Sequence, residues 1–198
     1  MKMTICDSQR EKSVAAEIDA IRKSLTWSGH KLQGRTVFNG LNISIENRKG
    51  SVRRGIDSDG HKWAVKMHYD YGYIRGTEGV DGDHLDCYLG NNENAEFVYI
   101  VHQNNPKTHE YDEDKCMLGF DSLAAAKAAY LSQYDRPGFL GKIDIMPFGK
   151  FKDYVLSKQH RGKRIVAKSL TTAEYMASIR KNFDFEMMKN FNSQVNGY

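Results

Sequence analysis

Tyr71-Gly72-Tyr73-Ile74 is followed, ten residues after its first tyrosine, by Asp81-Gly82-Asp83-His84-Leu85-Asp86, which places three carboxylates within six residues around a glycine. Carboxylates so crowded repel one another, and a hard divalent cation is the natural neutraliser. Mg²⁺ takes oxygen ligands, keeps several waters and is usually held by one or two carboxylates together with substrate phosphates. The stretch therefore reads as a metal site for a phosphate substrate. Ile74 to Val80 is a loop with two glycines, and Cys87-Tyr88-Leu89 is an apolar, β-favouring run closed by Gly90. Asp81 and Asp83 are expected on a loop entering a strand, with Asp86 at the strand's start. A turn at residues 83–86 would let the three side chains converge, whereas an extended strand would send Asp83 and Asp86 to opposite sides. Gly82 is expected to relieve the crowding between them.

Two plainer readings compete. A calcium loop of the EF-hand kind needs an oxygen ligand at its fifth position and glycine at its sixth, where this chain has Leu85 and Asp86, so that reading fails. A solvated acidic turn is the usual explanation of an isolated D-x-D. The Tyr-Gly-Tyr at fixed distance and the basic residues upstream argue against it.

The chain has 198 residues with 40% hydrophobic content, long enough for one core and a small appendage. No run approaches the roughly 18 consecutive apolar residues of a membrane span, and the N-terminus lacks the apolar core of a signal peptide. Cys6, Cys87 and Cys116 are widely spaced without a C-x-x-C pair, as expected of reduced thiols in a cytoplasmic protein, and zinc has little support.

Three regions follow from the patterning. Residues 1–30 carry an amphipathic helix, with Val14, Ile18, Ile21 and Leu25 at helical intervals. Residues 31–158 form the main domain. In it Leu41-Ile43-Ile45 and Trp63-Val65-Met67 alternate as strands, Asp57 to Gly60 is a hairpin turn, and Phe97 to Val101 is a buried strand. Asp121 or Ser122 caps an alanine-rich helix through Tyr130, and Pro147 to Ser157 is a short helix. Residues 159–198 hold a basic connector, with Arg164 to Ala167 as a short strand or linker, and a helix opened by the capping-box pair Thr171 and Glu174. The net charge is only +4, concentrated in Arg48-Lys49 with Arg53-Arg54 and in Lys158 to Lys168. The second cluster is read first as a solvated face and second as a contact for nucleic acid.

Asp81 to Asp86 resembles the D-G-D-x-x-D signature of family I soluble inorganic pyrophosphatases, and Tyr71 to Ile74 matches their Y-G-Y-I at the same spacing. Upstream, Ile45-Glu46 resembles the family's first active-site glutamate, and Val52 to Asp57 its I-K-Y-E-I-D, which puts Arg53 on a substrate-binding lysine. Val65-Lys66-Met67 falls where the family has a phosphate-binding arginine, and Glu113-Asp114-Lys115 resembles its acid-x-lysine pair. The likeness covers roughly residues 41–135. It is closest to the compact pyrophosphatase-like domain of large phage and conjugative-element proteins. The chain departs from the family in several places. Lys66 and Tyr71 are only five positions apart, His84 stands where proline is usual, and Arg53 and Lys66 exchange lysine for arginine and the reverse. The further aspartate before the acid-x-lysine pair has only Asp112 or Glu110 as loose counterparts. The terminal Tyr-Lys pair becomes Tyr134-Asp135.

The resemblance implies an α+β fold, a small antiparallel OB-like barrel of about five strands with flanking helices. It also implies Mg²⁺-dependent hydrolysis of pyrophosphate by metal-activated water in the cytoplasm. Asp83 would be the general base, and Tyr71 a donor in the network of the nucleophile. Asp81, Asp86, Asp112, Glu113 and, through water, Glu46 would serve the metal, while Arg53, Lys66, Lys115 and Tyr134 would hold phosphate oxygens. Two other functions remain open: hydrolysis of a nucleotide phosphoanhydride, and a binding module that keeps the fold without turnover.

Overall fold

Period-two alternation and the turns between alternating runs generate most of the sheet. The computed structural model describes residues 32–56, 60, 62–167 and 176. Strands β1 (Gly34–Phe38) and β2 (Leu41–Asn47) form a hairpin, and Leu41, Ile43 and Ile45 are fully buried as their spacing requires. Among the described residues, strands β3 (Val52–Ile56) and β4 (Lys62–Lys66) pair only with each other, with Arg53 opposite Val65. β5 (Asp70–Ile74) and β6 (Asp86–Leu89) carry the two motifs. β7 (Phe97–Asn104), β8 (Tyr111–Leu118) and β9 (Ile143–Pro147) complete the larger sheet, in the order β1-β2-β5-β6-β8-β7-β9.

Among the described residues every pairing is antiparallel except β6 with β8, where Asp86 stands opposite Lys115. The outcome is α+β, with nine described strands rather than about five. β1 and β9 are the free edges of a sheet that does not close by hydrogen bonds, so a closed barrel is not formed among the described residues. The sheet is nevertheless rolled. Phe38 at the end of β1 packs on Phe148, which opens helix α2 (Phe148–Val155) directly after β9, with ring centroids 6.2 Å apart.

Both sheet faces are covered. On one, Ile43, Ile45, Ile74, Cys87, Ile100 and Cys116 pack against Phe148, Phe151 and Val155 of α2. On the other, Tyr88, Tyr99 and Met117 pack against Ala126, Ala129 and Tyr130 of α1 (Leu123–Leu131), whose small residues allow close approach. Ser122, rather than Asp121, caps α1 by accepting from the Ala125 N–H at 3.1 Å. Arg164 to Ala167 is a connector and not a strand. It is pinned where Ile165 is buried and its N–H donates to Asp114 Oδ2 at 2.6 Å. Cys87 and Cys116 face one another across the parallel ladder as buried free thiols.

The helix expected over residues 8–25, most of the turn at Asp57 to Gly60, Cys6 and the helix opened by Thr171 lie outside the described residues. Among those described, no helix is long and apolar enough to cross a membrane.

Candidate active site

Register alone brings the two motifs together. Tyr73 of β5 is opposite Asp86 of β6, and Asp86 is opposite Lys115 of β8, so the three share the face that α1 partly covers. Tyr71, two residues before Tyr73, lies on that face as well. This arrangement needs Gly72. A Cβ there would lie 1.9 Å from the carbonyl oxygen of Ser44, at the place where β2 bulges against β5.

Asp86 is the centre of the network. Its Oδ2 accepts hydrogen bonds from the Tyr71 hydroxyl and from the Lys115 ammonium. Lys115 also meets Glu113 Oε2 at 2.7 Å. Burial works against the charge on Lys115, but Asp86, Tyr71 and Glu113 outweigh it and hold the pKa well above the usual lysine value. Burial and then Asp86 push the Tyr71 hydroxyl far above the ordinary tyrosine pKa, so it stays a donor.

Arg53 reaches the same place from the β3–β4 hairpin. Its guanidinium lies 4.8 Å from the ring centre of Tyr71 and 5.4 Å from that of Trp63, held between two aromatic faces. Gly55 is again a matter of space, since a Cβ would lie 2.4 Å from the Trp63 ring. Of the first basic cluster only Arg53 is so placed. Arg48 pairs with Asp70 at 2.9 Å and Arg54 is exposed. Lys66 is not brought to the network: it is exposed and stands opposite Val52 on the face of the hairpin that Arg53 does not occupy. The strand period puts Trp63 and Val65 on the inner side instead.

Asp81 and Asp83 sit on the loop before β6, and Asp86 opens the strand, as their sequence implies. The Asp83 N–H donates to Asp81 Oδ1 at 3.1 Å. Gly82 serves a different purpose from the one expected. A Cβ there would meet nothing within 4 Å, and the requirement is its φ of +84°. His84 is fixed by Nδ1, 2.7 Å from the Thr77 carbonyl oxygen, and stacks on Tyr73 at 4.9 Å. Among the described residues no three of His, Cys, Asp and Glu converge tightly enough to cage an ion by themselves. Partial burial, followed by Asp81 and Asp86, raises the pKa of Asp83 against the opposing effect of His84. Burial and then Asp86 push Glu46, at the bulge in β2, up to about 7, with Arg53 and Lys115 opposing and Asp83 adding. Glu46, Asp83 and Asp86 thus form one repelling group.

The residue that sequence reasoning missed is Gln103. It is buried at 5% exposure on β7 and stands opposite Glu113. Its Nε2 donates to Glu113 Oε1 at 2.8 Å and to Asp112 Oδ2 at 3.3 Å, while its Oε1 accepts from Tyr130 at 2.9 Å and from Tyr134. The Tyr134 hydroxyl is therefore already committed as a donor, and its ring stacks on Phe139 at 4.4 Å. Asp112 is exposed at the end of this chain of contacts. A glutamine between His102 and Asn104 at the polar end of an apolar strand carries no motif, and the strand pairing reveals its place.

A model of the family described as inorganic pyrophosphatase matches residues 25–156, two thirds of the chain. The chain belongs to the inorganic pyrophosphatase family. A search of curated proteins found no match to it. The stretch assigned to the pyrophosphatase family contains every site residue described above, from Glu46 to Tyr134. The connector pinned by Asp114 lies beyond it.

Proposed function

We propose that the chain hydrolyses inorganic pyrophosphate to phosphate with Mg²⁺, using water as nucleophile. The observation that carries this reading is the meeting of the buried Lys115 and the half-buried Arg53 with a group of mutually repelling carboxylates. Arg53 and Lys115 flank Tyr71 and Asp86, beside Glu46 and Asp83 whose pKa values are raised by burial and then by their acidic neighbours. Such a set is incomplete alone and is completed by a divalent cation and an anionic substrate. Mg²⁺ needs only one or two protein carboxylates when phosphates and waters fill the rest of its shell, so Asp81 and Asp86, with Glu46 behind them, fit it without a closed cage. Bound there, the ion would neutralise phosphoryl charge and acidify a water.

The remaining chemistry falls to side chains. Asp83 takes the proton of the attacking water, and its raised pKa brings it nearer the working pH of a general base. Arg53 and Lys115 hold the oxygens on which charge grows in the transition state. Tyr71 orients Asp86. Lys66 has no part in this scheme, and Tyr134 enters only through Gln103. The same reading takes the rolled sheet as the family's OB-like barrel in open form. It assigns residues 31–158 to the catalytic domain, with an N-terminal helix and a basic C-terminal segment outside it, and it places the protein in the cytoplasm.

A nucleotide phosphoanhydride is the second reading. Lys66 leaves the inner side of the hairpin to Trp63, which exchanges a cation for an aromatic surface. The test is phosphate release from pyrophosphate and from nucleoside triphosphates, with Mg²⁺ or EDTA, by the native chain and Asp83→Asn. Mg²⁺-dependent release from pyrophosphate that the variant loses is expected. Release from nucleotides alone would move the assignment to the second reading, and no release from a folded, Mg²⁺-binding protein would leave a non-catalytic binding module.

A further inference from the structure

We propose that the outer face of the β3–β4 hairpin binds single-stranded nucleic acid along its phosphate backbone. Strand period and register together define that face. Val52, Arg54 and Ile56 of β3 stand opposite Lys66, Ala64 and Lys62 of β4, and all six are exposed. Arg53, Trp63 and Val65 alternate with them and are half-buried on the other face. Of the six outer residues three are cations and none is an acid. Lys62 and Lys66 are the two diagonal neighbours of Arg54 across the ladder, about 7–8 Å away at the backbone, so the charges form one patch. Lys66, which has no part in the hydrolysis scheme, belongs to it.

Charge complementarity and the residues between the charges choose the partner. Neighbouring cations repel one another, and a chain of phosphates laid across them neutralises several at once while releasing its own counter-ions. The same face carries apolar side chains among its cations, Val52 at 44% exposure and Ile56 at 66%. Unpaired bases offer flat apolar surfaces to such side chains, as they do on the stacking platforms of single-strand binders, whereas a duplex keeps its base faces stacked inside. An anionic lipid surface is matched less well, because two aliphatic side chains on five-residue strands bury little area in it.

The hairpin thus serves two ligands from its two faces. Arg53 reaches Tyr71 on the inner one, and Arg54, the next residue, is exposed on the outer. A strand held outside lies one ribbon's thickness from the phosphate site. Nucleotidyl transfer on such a strand is the class of reaction that releases pyrophosphate there. That link rests on the hydrolase reading; the binding does not.

The decisive measurement is fluorescence anisotropy of a labelled oligothymidylate titrated with the full chain at several salt concentrations. A hairpin triple variant, Arg54→Gln with Lys62→Gln and Lys66→Gln, is compared with a connector triple variant, Lys158→Gln with Arg161→Gln and Lys163→Gln. Each removes three exposed cations from a net charge of +4, so the two differ only in place. Wild type is expected to bind, more weakly as salt rises. The hairpin triple should bind about tenfold or more weaker, with a log–log salt slope shallower by about 2, since each phosphate contact contributes roughly 0.7 on a single strand. The connector triple should bind as wild type does. Val52→Thr with Ile56→Thr should weaken binding and leave the slope unchanged. No binding by wild type, equal losses in the two triples, or a duplex of the same length bound as tightly would each overturn the proposal. So would phosphatidylserine vesicles captured in place of the oligonucleotide. Should the hairpin triple fail to fold, Lys66→Gln alone decides through a slope shallower by roughly 0.7. Phosphate release is read in parallel. Binding without release would sink the hydrolase reading alone, and release without binding would sink this proposal alone.

Discussion

Lys115 stands opposite Asp86 in the one parallel ladder of the described sheet and donates to its Oδ2. The side chains are 6% and 20% exposed, so neither charge is well hydrated. Breaking a buried pair by removing one partner typically costs about 3–5 kcal/mol, because the other charge is left stranded. Lys115→Met is expected to approach that range in urea unfolding. Asp86→Asn should cost less, since the amide can still accept from Tyr71 and Lys115 keeps Glu113. The double variant should recover part of the loss, and strictly additive effects would show that the pair is not coupled.

Arg53 supplies a planar cation held between two rings, and its replacement tests whether that placement is used. Arg53→Lys keeps the charge but loses the bidentate fork and much of the stacking. Trp63→Leu keeps the arginine and removes one of the two faces that orient it. Each is expected to raise the KM for pyrophosphate by about tenfold, roughly 1.4 kcal/mol, in the range of a partly desolvated cation–π contact. Steady-state kinetics on both variants decide the matter. A KM unchanged in Trp63→Leu would mean that the ring only fills space.

Gly72→Ala probes the close approach that aligns the site. The added methyl would lie 1.9 Å from a backbone oxygen, which no side-chain rotation can relieve. Overpacking in a well-packed core commonly costs about 1–3 kcal/mol and more when backbone must move. The variant is expected at or beyond the upper end, with β2 shifted from β5 and Glu46 displaced. By contrast Gly50→Ala, where a Cβ meets nothing and only a φ of +88° is strained, should cost no more than about 1–2 kcal/mol. Thermal unfolding of the two variants side by side gives the comparison.

The parts of this site that were legible in the sequence are those whose spacing is local. Tyr71, Asp81, Asp83 and Asp86 lie within one turn-bounded segment, and the alternation of β2 and β4 and the apolar run of β7 announce strands directly. What was not legible depends on pairing between distant segments. β8 opens Tyr-Asp-Glu-Asp-Lys, a run whose charges hide a strand until Glu113 and Lys115 are seen to face Gln103 and Asp86. β9 was hidden for a similar reason, since Asp144 interrupts it and Pro147 ends it. Lys66 shows the converse error. A motif position supplied its role, but the period of the strand sends its side chain to the other face, with Val52 rather than Arg53.

Glu46 gives the pH dependence its sign. Its pKa is about 7 in the folded protein against 4.5 for an ordinary carboxyl. Between those values the folded protein holds a proton that the unfolded chain has released, so stability declines as pH rises. The contribution is fully present below about 4.5 and is lost as pH passes through about 7. Asp83 and Glu113, also raised, act in the same direction. A divalent cation binds the ionised forms and opposes the trend, since a ligand that binds only the native state stabilises it by an amount that grows with the logarithm of the ligand concentration above its Kd. In EDTA the melting temperature is therefore expected to fall across this window, and Glu46→Gln, which has no proton to lose, should reduce the slope. Saturating Mg²⁺ should flatten the curve of the native chain far more than that of the variant. A slope identical in both proteins without metal would remove Glu46 from the group of repelling acids.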